Sequence, residues 1–134
     1  MKYTASAISK AHNSASVKIK KTDIPFGITK ETSESLSSPA ELFLGAFTSC
    51  VLKNVERFSA FMKFEYTHAE ITVEATRLEK PPRMDALNYH LKIYSNDESL
   101  NISLLRKNIE KFGTIYNTVK ASCEVDGIIE QIKD

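Results

Sequence analysis

Cys50 is the side chain in this sequence most suited to chemistry. It closes the run Ser37-Ser38-Pro39-Ala40-Glu41-Leu42-Phe43-Leu44-Gly45-Ala46-Phe47-Thr48-Ser49-Cys50, a lone thiol about three helical turns into a mostly apolar stretch. A thiol must ionise before it attacks an electrophile, and nearby cations favour the thiolate over the unperturbed pKa of about 8.5. At about 100° per residue on a helix, Lys53 and Arg57 share the side of Cys50, together with Phe43, Ala46 and Asn54. The competing reading is packing, because free cysteine is a small hydrophobe that is commonly buried. From position and neighbours alone both readings stand.

The other chemistry-bearing residues have simpler explanations. Cys123 alternates with Val125 in an expected strand and reads as an inward-facing packing residue. Nothing in the sequence brings it within the ~7 Å between Cα atoms that a bridge to Cys50 would need. Neither cysteine belongs to a CxxC pair, and two cysteines in 134 residues make no disulfide framework. The three histidines, His12, His68 and His90, are scattered and lack metal-ligand spacing, so no metal site is expected. His68 and His90 fall on the polar sides of their strands and are expected to be exposed. Glu41 lies three residues after Ser38, which makes it a capping residue. It is nine positions before Cys50, which puts it on the opposite face of the helix.

The elements that must position Cys50 follow from local signals. Ser38 as N-cap, Pro39 at the first helical position and Glu41 three residues on form a capping box, so a helix starts at Pro39 and extends to about Lys63. Its apolar stripe is Leu44, Phe47, Val51, Val55, Phe58 and Met62, with Cys50 toward one edge. Residues 2–9 and 15–20 alternate around a turn at His12-Asn13-Ser14, predicting an N-terminal β-hairpin. Residues 21–37, with Pro25, Gly27 and many Ser/Thr, read as a loop. Ala69 to Ala75 alternate as a strand, and Leu87 to Ile93 as a second, joined by a loose tip over Lys80-Pro81-Pro82-Arg83. Ile102, Leu105, Ile109 and Phe112 recur at helical spacing, with Gly113 as terminator. A short helix is placed at Thr114–Lys120, and a closing strand around Val125 and Ile128-Ile129. The sum is an α+β pattern in one domain, residues 1–134.

Bulk properties exclude several classes. Lysine plus arginine number 18 against 17 acidic residues, a formal net charge of +1, so nothing draws the chain to nucleic acid or an anionic membrane. No apolar run approaches the ~20 residues that cross a bilayer, and the N-terminus lacks a signal-type apolar block. A soluble cytoplasmic protein is the expectation.

Ser38-Pro39-Ala40-Glu41-Leu42 through Cys50, the order of strands around it, and Phe112-Gly113-Thr114-Ile115-Tyr116-Asn117-Thr118-Val119 resemble the OsmC/Ohr family. The SPxEL…C spacing is matched, with the cysteine eleven residues after the proline. The resemblance implies an intertwined α+β homodimer in which strands of both subunits wrap long central helices. It also implies reduction of organic hydroperoxides by an active-site cysteine that thiols regenerate, with no cofactor. By position Cys50 is similar to that cysteine.

Three departures accompany the match. In the family's peroxidase branches a glutamate directly follows the motif proline, whereas here that residue is Ala40. Those branches carry an arginine in the N-terminal strand region, and this chain has none before Arg57. Gly113 stands where a resolving cysteine is expected, and Cys123 comes ten residues later. The chain thus resembles an OsmC-like branch with glutamate two residues after the proline, as Glu41 is. Two functions follow. One is a peroxidase in which an external thiol resolves oxidised Cys50, Arg57 or Lys53 steadies the thiolate, and Phe43 and Phe47 favour an apolar hydroperoxide. Glu41 would join that site only if dimer packing brought it round. The other is a non-catalytic dimer that binds a small apolar ligand, with Cys50 as packing.

Overall fold

In the computed structural model, which describes all of Met1–Asp134, the capping signals at Ser38 act as read. Ser38 Oγ accepts from the Glu41 N–H at 3.1 Å, and Glu41 Oε1 accepts from the Ser38 N–H at 2.9 Å. Two orphan donors of the first turn are thereby satisfied. Helix α1 runs Pro39–Met62 and ends where Lys63 turns to φ 58°. The chain divides into two compact units, Met1–Phe43 and Leu44–Asp134.

The larger unit holds the core. Strands β4 (His68–Glu79) and β5 (Pro82–Tyr94) pair antiparallel, and β6 (Val125–Ile132) pairs with β5 in parallel, giving the order β4-β5-β6. Alternation on β5 sends Leu87, Tyr89, Leu91 and Ile93 inward, and they are buried. Phe47, Val51, Val55 and Phe58 meet that core from α1. Helices α2 (Ile102–Phe112) and α3 (Thr114–Lys120) add Leu105, Ile109, Tyr116 and Val119. Each such side chain contributes about 1.5–3 kcal/mol relative to exposure. Asn101 caps α2 by accepting from the Leu104 N–H at 3.0 Å.

Two features of this unit differ from the sequence reading. The β4–β5 tip is tight, since Glu79 still pairs with Pro82 and only Lys80-Pro81 is left to turn. Prolines at 81 and 82 mimic a long break because they mark the strand end itself. A bulge also interrupts the pairing between Glu74 and Thr76. Opposite it Ala86 takes φ 52°, and Asp85 Oδ1 accepts from the Ala86 and Glu124 N–H groups, each at 2.8 Å.

The smaller unit contains a three-stranded antiparallel sheet, β1 (Ser6–Ser9), β2 (Ala15–Ile19) and β3 (Thr22–Phe26), in that order. The hairpin β1–β2 forms where the alternation placed it, but β1 is shorter than expected, because residues 2–5 lie outside the strand. β3 corrects the loop expected over 21–37. Ile24 and Phe26 alternate with Asp23 and Pro25, and Pro25 hides the pattern. Proline is admitted here because β3 is an edge strand.

Candidate functional site

Helix α1 carries Cys50 at the margin of its buried stripe, and the side chain is half-buried. One turn on, Asn54 is 7% exposed, a polar residue inside the apolar row. Its Nδ2 donates to the Cys50 carbonyl oxygen at 2.8 Å and approaches Cys50 Sγ at 3.7 Å. The α2–α3 corner comes near the sulfur at Gly113. Gly113 there has φ −72° and ψ 111°, so it is glycine for lack of space, not for the left-handed freedom that usually ends a helix. A Cβ on Gly113 would stand 2.9 Å from the Ile109 oxygen and the Tyr116 Cβ, and 3.4 Å from Cys50 Sγ.

Behind this corner lies an aromatic and polar layer. The Phe47 ring packs 5.9 Å from both Tyr89 and Tyr116. Burial pushes the Tyr116 hydroxyl up to about 12, so it stays protonated in ordinary buffers. Arg106 donates to the Tyr89 hydroxyl at 3.2 Å and to the Gly127 oxygen at 3.0 Å, and its guanidinium lies 3.9 Å from Glu110. Gly127 is required, since a Cβ there would overlap the Tyr89 ring.

Arg57 lies with its guanidinium carbon 5.3 Å from the Phe58 ring centroid, 5.8 Å from Phe61 and 5.6 Å from Phe112. The guanidinium thus lies over ring faces, and no hydrogen bond links it to Cys50. Lys53 is exposed. Glu41 remains in the capping box, and its hydrogen bonds from Ser38 hold its carboxyl below the usual range. Phe43 is partly exposed, whereas Phe47 is wholly buried and so forms core instead of a reachable pocket wall. Cys123 precedes β6 instead of lying within it, and its thiol donates to the Met84 oxygen at 3.3 Å. Both cysteines are free. His68 is exposed and stacks on Tyr94 at 4.1 Å. His90, expected to be exposed, is half-buried against Glu130 at 3.1 Å. No three His, Cys, Asp or Glu side chains stand together as metal ligands. Sequence reasoning gave Asn54 no role. The available signal was an amide one turn from a lone thiol, on the same helix face.

Residues 32–126 match the family model described as OsmC-like protein. The chain belongs to the OsmC-like family. Among solved structures, the OsmC-like protein from Mycoplasma pneumoniae is similar over 98% of both chains, with TM-score 0.87 and 15% identity. An organic hydroperoxide resistance protein from Elizabethkingia anophelis is similar over 98% of this chain and 99% of that one, with TM-score 0.73 and 14% identity. Another organic hydroperoxide resistance protein, from Legionella pneumophila, is similar over 96% of this chain and 97% of that one, with TM-score 0.68 and 15% identity. No curated protein matches the sequence. At these identities the structural likeness carries the fold. This OsmC-like α+β fold holds Cys50, Asn54 and Gly113 within the matched span, and none of its helices is long and apolar enough to cross a membrane.

Proposed function

We propose that this protein reduces organic hydroperoxides through Cys50, as a cytoplasmic homodimer regenerated by an external thiol. The observation that carries the reading is the half-buried Cys50 sulfur, at the position of the resemblance's cysteine, beside Gly113, where a Cβ would stand 3.4 Å from Sγ. In the first step the Cys50 thiolate attacks the terminal oxygen of the hydroperoxide. A sulfur–oxygen bond forms and the oxygen–oxygen bond breaks. The sulfur loses two electrons and becomes sulfenic acid, while the alkoxide takes a proton and leaves as an alcohol.

Resolution then falls to outside thiols. Gly113 supplies no sulfur, and the Cys123 thiol donates to the Met84 oxygen. One external thiol displaces water from the sulfenic acid to form a mixed disulfide. A second thiol attacks that bond, releasing the Cys50 thiol and an external disulfide. Two free cysteines fit a reducing compartment. Dimerisation is supported by apolar side chains left open to water: Ile8 is 68% exposed, Phe61 72% and Phe112 44%.

A second reading has its own support. Arg57 lies over phenyl rings and Glu41 in its cap, so neither cation nor carboxylate is committed to the sulfur. That favours a non-catalytic dimer binding a small apolar ligand. Intact-mass spectrometry after addition of cumene hydroperoxide separates the two. A gain of one oxygen, absent in Cys50→Ser and reversed by dihydrolipoamide, supports the peroxidase. An inert thiol under these conditions leaves the binding role.

A further inference from the structure

We propose that the Asn54 carboxamide is the hydrogen-bond donor that steadies the Cys50 sulfur as an anion, in the role expected of a guanidinium. The inference rests on Cys50 being the reacting group, and it adds a residue the family spacing does not name. The orientation of the amide is decided by chemistry. A carbonyl oxygen only accepts, so the end of Asn54 that sits 2.8 Å from the Cys50 carbonyl must be the NH2 group. The same nitrogen lies 3.7 Å from Sγ, so what it presents to the sulfur is an N–H. One of its protons satisfies the carbonyl and locks the side chain. The other remains for the sulfur, and a donor aimed at an anion favours the charged form.

Burial argues in the same direction. Asn54 sits among Val51, Val55 and Phe58 on the buried stripe, where leucine would pack without a polar group to satisfy. Asn54 is only 7% exposed, so water competes weakly for its amide. Arg57 and Lys53 do not supply the donor. The first is held over Phe58, Phe61 and Phe112, and the second is exposed.

The test compares wild type, Asn54→Leu and Asn54→Asp, using alkylation of Cys50 by iodoacetamide at pH 7 in a Cys123→Ser background. Both variants lose the N–H, one with an apolar and one with an acidic replacement. Circular dichroism confirms that each is folded. The expected result is alkylation slowed about tenfold in Asn54→Leu and further in Asn54→Asp, the size of one charge-assisted hydrogen bond. A purely structural role predicts the opposite sign, because loosened packing exposes the thiol and speeds alkylation. Rates within twofold of wild type, or faster, in a folded variant overturn the proposal. Alkylation needs no peroxide. A wild-type protein that fails to consume hydroperoxide would therefore defeat the peroxidase reading while this comparison still decides the role of Asn54.

Discussion

In Leu44–Asp134 the side chains of Phe47, Val51, Leu87, Leu91 and Ile93 are entirely withdrawn from water, whereas in Met1–Phe43 only Ala15 is buried. Every residue of β1 is exposed. Both units contain a three-stranded sheet, so strand number does not explain the contrast. What differs is the covering. The β4-β5-β6 sheet shares its core with α1, α2 and α3, while the β1-β2-β3 sheet has alternating apolar residues and little burial of its own. A small sheet left in that state is marginal. The residues of the candidate site, Cys50, Asn54 and Gly113, all lie in the larger unit, and the smaller one leaves its apolar side chains largely uncovered. Under the proposed homodimer, a second copy would cover that sheet.

Substitutions in the two units sharpen the comparison. Leu91→Ala, in the buried face of β5, is expected to cost about 3 kcal/mol in urea denaturation, through lost burial and a cavity. Gly113→Ala should follow at about 2 kcal/mol, because its Cβ meets the Ile109 oxygen and Tyr116 at 2.9 Å. If Gly113→Ala proves neutral, the α2–α3 corner is looser than its packing indicates. Ser38→Ala, in the smaller unit, removes the cap acceptor and should cost about 1 kcal/mol. Ile8→Ser should change chemical stability least, by less than about 0.5 kcal/mol at protein concentrations where copies are dissociated. Its signature would be in assembly, read by light scattering as a loss of dimer mass. An unchanged mass would break the assignment of that sheet to a partner.

Acid gives a further probe of both units at once. Folding depresses the carboxyls of Glu41 through Ser38, of Asp85 through the Glu124 and Ala86 N–H groups, and of Asp97 chiefly through Ser99. Such groups bind protons less readily in the native chain than in the unfolded one. Their contribution is thus complete at neutral pH and is lost as the pH falls below about 4.5 toward their depressed native values. Urea titrations from pH 7 to pH 3 should show a declining midpoint, with a shallower decline in Ser38→Ala. An identical slope would remove the capping box from the acid response.

Much of this was legible along the chain because its causes are local. The start of α1 follows from Ser38, Pro39 and Glu41, and its buried face from spacing, since those signals act within a turn or two. The same holds for α2, α3 and the alternation of β4 and β5. β3 was hidden because Pro25 carries a loop signal and only its place at a sheet edge admits it. The family spacing marked Cys50, yet its surroundings come from residues far along the chain. Phe112, which helps hold the Arg57 charge, and Gly113, which touches the sulfur's space, lie on another helix and its corner.

The sequence by itself determined where helices begin, which faces they bury, and that one thiol stands at a set depth along α1. Each of these depends on neighbours within a few residues, where backbone geometry admits few alternatives. Only the tertiary structure decided what that thiol meets. Phe112 brings a ring of α2 to Arg57, Phe47 packs on Tyr89 and Tyr116, Cys123 reaches Met84, and Gly113 crowds the space of the Cys50 sulfur. Long side chains choose among distant partners by packing and desolvation, and neither is set until the elements meet.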